Sequence, residues 1–355
     1  MSVLDLARPE LRAMAPYSSA RMEAGAGEIW LNANESPWNP LASGRVNRYP
    51  DPQPAPLLAA LADLYAVRPE QLLVGRGSDE PIDLLTRAFC RAGVDSVLVC
   101  PPTFGMYVVA ANVQGARVLQ VPLRAEHGFR LDVDAVLAAV DADTRIVYAC
   151  TPNNPTGNAT APQILLDLAE RLHQRALLVV DEAYIEFSSQ PSLASCAGSP
   201  DNLVVLRTLS KAHGLAGVRI GSAIAVPAVI DLLKRIMAPY PLPEPCVDAA
   251  LRALSADARR ITDERIASIR AERERMRTAL ACCAGVRAVL PSEANFLAVR
   301  FDDPVRRYAQ LAGAGVIVRQ LMKYPGLADA LRISIGSVDE NNAVLRALGA
   351  SEETA

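Results

Sequence analysis

From about residue 57 onward, short apolar runs alternate with stretches of helical periodicity. Apolar residues return every three or four positions in Leu57–Tyr65, Glu80–Phe89, Tyr107–Asn112, Asp132–Val140 and Pro162–His173, and this spacing predicts helices. Between and after them lie the short runs Leu72–Val74, Ser96–Cys100, Arg117–Val121, Arg145–Ala149, Leu177–Val180, Leu203–Arg207 and Ile220–Ala225. Runs of this length, bounded by turn residues, predict strands covered on both faces. The alternation therefore predicts an α/β fold whose large domain has a mostly parallel, doubly wound sheet with helices on both faces.

The pattern changes at both ends. Residues 30–56 are rich in Asn and Pro and read as extended backbone. Pro239-Tyr-Pro-Leu-Pro-Glu-Pro245 punctuates the chain again. Beyond it, Ile266, Ile269, Met276 and Leu280 recur at helical spacing in a charged stretch, and strand candidates follow at Phe296–Phe301, Val316–Val318 and Leu331–Ile335. This predicts a smaller α+β domain. The expected division is an N-terminal segment, 1–45, packing on the small domain, then a large domain over 46–240 and a small C-terminal domain over 241–355.

Composition narrows the partners. The 355 residues are 51% hydrophobic, ample for two cores, and the formal charge of -3 carries no electrostatic footprint of nucleic acid or of a membrane surface. Seven cysteines, Cys282-Cys283 among them, lack metal-ligand spacing and fit a reducing compartment, so no metal is expected. Asp5, Arg8, Glu10 and Arg12 interrupt the first residues, and no apolar run approaches the roughly 20 residues of a membrane span. A soluble, cytoplasmic protein is expected.

The chemistry gathers where strands end, which is where open α/β sheets bind ligands. Asp181-Glu-Ala-Tyr184 follows one strand, Thr151-Pro-Asn-Asn154-Pro-Thr-Gly157 another, and Thr208-Leu-Ser-Lys211 a third, with Arg219 beyond a Gly-Leu-Ala-Gly turn. Gly75-Arg-Gly-Ser78-Asp79-Glu80 joins a strand to a helix. Its glycines allow a tight turn, Ser78 is a natural cap, and the free amides at Asp79 and Glu80 point at an anion. The same segment also reads as a plain strand-to-helix turn, and it is neither a dinucleotide fingerprint nor a nucleotide-phosphate loop. An amine, a carboxylate, a phenol, an amide and an arginine in this order are the parts that hold pyridoxal 5'-phosphate (PLP). Lys211 is expected to take the aldehyde covalently, and Asp181, which alone would read as a helix cap, to keep the pyridine nitrogen protonated. Tyr184 and Asn154 are expected to bond the ring oxygen, where a core tyrosine and a turn former are the plainer readings. Arg219, Thr208 and Ser210 are expected to meet the phosphate.

These residues carry a resemblance over nearly the whole chain. With Leu31-Asn-Ala-Asn-Glu35, Arg48-Tyr49-Pro50, Pro101-Pro-Thr-Phe-Gly-Met-Tyr107, Ala238-Pro-Tyr-Pro-Leu242 and Leu331-Arg332-Ile-Ser-Ile-Gly336, the sequence resembles the fold-type I, aspartate-aminotransferase-like PLP enzymes and, among them, the histidinol-phosphate aminotransferases. The resemblance implies that Tyr107 stacks on the cofactor ring and that Tyr49 reaches the phosphate of a neighbouring subunit's cofactor, hence a homodimer with shared active sites. It implies that Arg332, Arg319 and Tyr17 receive the substrate's phosphate, and that the substrates are L-histidinol phosphate and 2-oxoglutarate, giving glutamate, in histidine biosynthesis. A threonine-phosphate decarboxylase or a broad aromatic aminotransferase of the same fold is the alternative. His213 and Phe104 depart from the family pattern, which has phenylalanine and tyrosine there. His213 reads either as a packed core residue or as a proton-active neighbour of Lys211, and Phe104 is given no cofactor role.

Overall fold

The computed structural model describes residues 2–15, 29–41 and 44–349. Seven strands form the large sheet: β1 (Leu72–Arg76), β2 (Ser96–Val99), β3 (Arg117–Gln120), β4 (Thr144–Cys150), β5 (Leu177–Asp181), β6 (Leu203–Thr208) and β7 (Ile220–Ile224), in the order β1-β7-β6-β5-β4-β2-β3. The β3-β2-β4-β5-β6 portion is parallel; β7 runs antiparallel to both β6 and β1. A loop rather than a crossover helix joins Thr208 to Ile220, so β7 returns in the opposite direction.

Strand alternation builds two cores. Leu178, Val180, Leu203 and Val205 face one side, where α2 (Ala55–Tyr65), α5 (Val133–Ala139) and α6 (Pro162–Leu172) cover them. Leu177, Val179, Val204 and Leu206 face the other, beneath α3 (Asp79–Phe89), α4 (Met106–Gln114) and α7 (Pro227–Ile236). Each fully buried Leu or Val on these faces contributes about 1.5–3 kcal/mol.

The small sheet is antiparallel, in the order β10-β11-β9-β8, from β8 (Val286–Val289), β9 (Phe296–Phe301), β10 (Arg319–Gln320) and β11 (Ala330–Ser334). The C-terminal part of α9 (Ala256–Ala281), with α10 (Pro304–Gly313) and α11 (Val338–Ala347), closes its core around Met276, Leu297, Phe301 and Leu345.

Four expectations need correction. The first described stretch of the N-terminal segment, residues 2–15, packs on the large domain, not the small one. Val3, Ala7 and Leu11 join the core of Leu85, Phe89 and Leu232, and the Arg8 N–H donates to the Ala88 carbonyl at 3.0 Å. The four-residue helix there, α1 (Pro9–Arg12), is fastened by Arg235 on the Arg12 carbonyl. The proline run at 239–245 does not divide the domains either. Leu242 and α8 (Glu244–Ala253), through Val247 and Ala250, share the core of Leu57 and Leu61, and Arg259 pairs with Asp63 at 2.7 Å. The passage between domains runs along α9, because its first turns belong to α2 and its last to the small core. Residues 316–318 are not a strand: Val316 and Val318 pack on the small core from a loop, Ile317 is exposed, and pairing begins at Arg319. Lastly, the apolar pattern did not separate α7, α10, α11 or β8. Among the described residues, no helix is long and apolar enough to cross a membrane, and no cluster of ligating side chains could hold a metal ion.

Candidate active site

The carboxyl ends of β4, β5 and β6 and the start of α3 surround one cavity of about 130 Å³. It is lined by Ser78, Asp79, Phe104, Cys150, Asn154, Asp181, Ala183, Tyr184, Thr208, Ser210, Lys211, Ala216 and Arg219. Nine of the residues singled out from sequence meet here, although they come from four separate stretches of chain. A wider cleft of about 940 Å³, between the Gly128–Arg130 turn and the Arg270–Arg277 face of α9, contains none of them.

Asp181 closes β5 and is almost completely buried. Its Oδ2 accepts from the Tyr107 hydroxyl at 2.7 Å and its Oδ1 from the Ala183 N–H at 3.0 Å. Burial pushes its pKa up, against those two hydrogen bonds. Lys211 stands exposed at the cavity with Nζ 5.5 Å from the Tyr184 ring centre. Surrounding atoms and then the Arg332 guanidinium depress its pKa, while the Asp181 charge pulls it back up. Tyr184 packs edge-on to Phe296 at 5.3 Å, and burial raises its pKa.

The anion cradle is made of backbone and small residues. Ser78 caps α3 without using its side chain, which leaves the first-turn amides to the cavity. Gly77 has φ +72, and a Cβ there would stand 2.5 Å from Arg219 Nη2. A Cβ at Gly221 would collide with the Gly77 and Ser78 backbone. Arg219 itself is left-handed at φ 60, a conformation costing roughly 1–2 kcal/mol in a residue with a Cβ, and it is held by the Gly77 N–H on its carbonyl at 2.9 Å. Its guanidinium pairs with Asp79 at 3.1 Å and reaches Ser210 Oγ at 3.4 Å; Ser210 and Thr208 hydroxyls are 3.0 Å apart.

The remaining expectations among the described residues fall outside the cavity lining. Tyr107 does not face it. Its ring stacks on Tyr148 at 4.5 Å, wholly buried, and its hydroxyl holds Asp181, so the stacking role expected of it is a misplacement. On the first turn of α4, Tyr107 points into the sheet, whereas Phe104, in the turn before the helix, lines the cavity. Arg332 hydrogen-bonds Asn154 Oδ1 and lies 5.1 Å over the Phe296 ring. Arg319 is exposed and sits directly opposite Arg332 in the β10–β11 pair, so both side chains share one sheet face. Tyr49 is half exposed and stacks on Tyr240 at 4.3 Å. Tyr17 lies outside the described residues. Sequence reasoning missed Cys150 and Ala183 as well as Phe104. Cys150 pairs with Asp181 across β4–β5, a register that a single sequence does not display.

The residues present fit PLP. A buried carboxylate with raised pKa wants a cationic partner, an amine stands across the cavity from it, and a glycine-lined cradle with an arginine and two hydroxyls suits a phosphate.

Known proteins agree with this geometry. The pattern of the aminotransferase class I and II family matches residues 26–348. The chain is 53% identical to a histidinol-phosphate aminotransferase of Xanthomonas euvesicatoria pv. vesicatoria (strain 85-10), over 99% of this chain and 98% of that one. It is 52% identical to a protein of the same name from Stenotrophomonas maltophilia (strain R551-3), again over 99% and 98%. The fold is similar to the crystal structure of histidinol-phosphate aminotransferase from Sinorhizobium meliloti in complex with PLP, with a TM-score of 0.76 and 27% identity, covering 85% of this chain and 82% of that one.

Proposed function

The chain belongs to the class I and II aminotransferases, and from its full-length identity to histidinol-phosphate aminotransferases we infer that it transaminates L-histidinol phosphate with 2-oxoglutarate, giving imidazole-acetol phosphate and glutamate, with PLP as cofactor. One observation carries the reading: an amine (Lys211) and a buried carboxylate (Asp181) line one cavity with a glycine-lined anion cradle. When bound, PLP supplies the electron sink that makes the substrate's Cα proton removable.

The chain's own residues do the rest. Lys211 Nζ accepts the Cα proton and hands it on, a task helped by its depressed pKa, which keeps more of the amine neutral. Asp181, fixed by Tyr107 and Ala183, would hold a proton on the ring nitrogen. Tyr184 and Asn154 would donate to the ring oxygen, and Phe104 and Ala183 would offer apolar surface to the ring. The α3 amides, Ser210, Thr208 and Arg219 would receive the cofactor phosphate. Arg332 and Arg319, side by side, receive the substrate phosphate in one half-reaction, and Arg332 receives a carboxylate of 2-oxoglutarate in the other.

We read the active unit as a homodimer in the cytoplasm. Ile29, Leu31, Trp38 and Leu41 are exposed on the stretch of chain whose Glu35 accepts from the Tyr49 N–H, apolar surface that a second copy would cover. Tyr49, turned toward Tyr240 and absent from its own cavity lining, would then serve the neighbour's phosphate. Mixing Lys211→Ala and Tyr49→Phe subunits should restore activity that neither has alone; no restoration would sink the shared site.

The test of the reaction is the visible spectrum of the PLP-loaded protein with histidinol phosphate and no oxo acid. Loss of the visible band, reversed by 2-oxoglutarate, is expected. An unchanged band would reject this substrate. Release of carbon dioxide from threonine phosphate would favour the decarboxylase alternative.

A further inference from the structure

Behind the cavity lies a buried ionic cluster that the scheme above does not use. Arg207 is the penultimate residue of β6, 7% exposed, and strand alternation turns it away from the cavity side that Thr208 serves. Its Nη2 donates to Glu186 Oε1 at 2.8 Å, its Nη1 to Ser192 Oγ at 2.9 Å, and Nη1 stands 3.7 Å from Glu182 Oε2. Its guanidinium lies 4.6 Å over the Tyr65 ring.

The partners are anchored to the working residues. Glu182 directly follows Asp181. Its N–H donates to the Leu206 carbonyl at 3.0 Å, and its carboxylate accepts from the Leu193 N–H at 2.7 Å and Ser192 Oγ at 2.5 Å. Glu186 Oε1 is also 4.0 Å from His213 Nε2. His213 follows Lys211 by two residues in a turn closed by the Gly214 N–H on the Lys211 carbonyl at 3.1 Å. One guanidinium thus ties the segment after Asp181 to the strand and turn that carry Lys211.

The cluster is a poor stabiliser. Arg207 Nε, Glu186 Oε2, His213 Nδ1 and Tyr65 Oη are buried without hydrogen-bond partners. Two carboxylates face one guanidinium, and burial holds His213 toward its neutral form. Well-packed apolar residues of similar volume often replace a buried ion pair at no loss of stability. Local rules broken beside a reactive group point to a working role.

We propose that Arg207 is a positioning residue: held between Glu182 and Glu186, it fixes the ends of β5 and β6 and so the placement of Lys211 opposite Asp181. The proposal rests on the reading of Lys211 and Asp181 as the working pair. The groups acting on Lys211 are Arg332, Asp181, Asp79 and Arg219; of these, only Asp181 is carried on the segment that Arg207 ties to β6. Burial and Arg332 depress the Lys211 pKa and Asp181 raises it, so loosening the pair displaces it from its wild-type value.

Arg207→Lys keeps the charge but cannot bridge both carboxylates. Three quantities are measured beside wild type: the melting temperature of cofactor-free protein, the pH dependence of its rate of PLP uptake, and kcat and KM. Uptake requires neutral Lys211, so its midpoint reports that amine. The expected result is a near-unchanged melting temperature, an uptake midpoint displaced from the wild-type value, and kcat reduced about tenfold to a hundredfold with KM values held. A midpoint at the wild-type value overturns the proposal, whether or not kcat falls. Should Arg207→Lys fail to fold, the isosteric Glu186→Gln decides: a displaced midpoint supports the proposal, and none overturns it. A wild-type protein that takes up PLP but leaves histidinol phosphate unchanged would refute the functional reading, and the uptake comparison would still decide this one.

Discussion

Asp181→Asn separates stability from function. The wild-type carboxylate is 2% exposed and, without cofactor, its nearest compensation is two neutral donors. Burial therefore raises its pKa in the folded state. For an acid raised on folding, the penalty is absent below the unfolded value, near ~3.9, grows as pH rises, and is complete above the folded pKa. Asparagine has the same shape. Its oxygen can accept from the Ala183 N–H, and its amide can donate to the Tyr107 oxygen. Relief of the buried charge is expected to stabilise the cofactor-free protein by about 1–3 kcal/mol at pH 8. For a chain of this size that is a rise of about 2–6 °C in melting temperature. The advantage should shrink as pH falls and vanish near ~4, where the wild-type carboxyl is protonated in both states. With cofactor the sign reverses. Loss of one charge-assisted hydrogen bond, about 1.5–3 kcal/mol, weakens PLP binding about 10- to 150-fold. The assay is thermal unfolding of cofactor-free protein from pH 4 to 8, with PLP titrated by absorbance. A cofactor-free variant less stable than wild type at pH 8 would refute the claim that burial of the Asp181 charge outweighs its hydrogen bonds and the Lys211 charge.

Other expectations follow from the same geometry. Lys211→Ala should lower turnover by at least about a thousandfold, and borohydride should no longer attach PLP to the chain, as mass spectrometry would show. Gly77→Ala places a Cβ against the Arg219 guanidinium in a left-handed backbone, so affinity for PLP should drop while affinity for pyridoxal, which lacks the phosphate, should hold; equal losses in titrations of both would count against the cradle. Arg332→Gln should raise KM for histidinol phosphate about 10- to 100-fold. It should also move the PLP-uptake midpoint to higher pH, because Arg332 depresses Lys211.

Much of this protein was legible from the chain. Buried strands read as uninterrupted apolar runs, so β4, β5 and β6 appear within a residue or two of where they lie. Chemistry at their carboxyl ends follows from strand direction alone, and Lys211, Asp181, Tyr184, Asn154 and Arg219 do converge on one cavity. What failed needed distances between segments remote in sequence. The aromatic that lines the cavity is decided by which way the first turn of α4 faces, and Phe104 and Tyr107 are three positions apart. The N-terminal segment and α8 chose the large domain because Leu85, Phe89, Leu57 and Leu61 left apolar surface there, which local periodicity does not disclose. The Arg207 cluster joins residues 65 to 213 and was invisible for the same reason. The sequence by itself determined the strands and helices that frame the site and which residues carry chemistry, because periodicity and strand ends are local. Only the tertiary structure decided which side chain faces the cavity and which holds another in place, because packing across the sheet sets both.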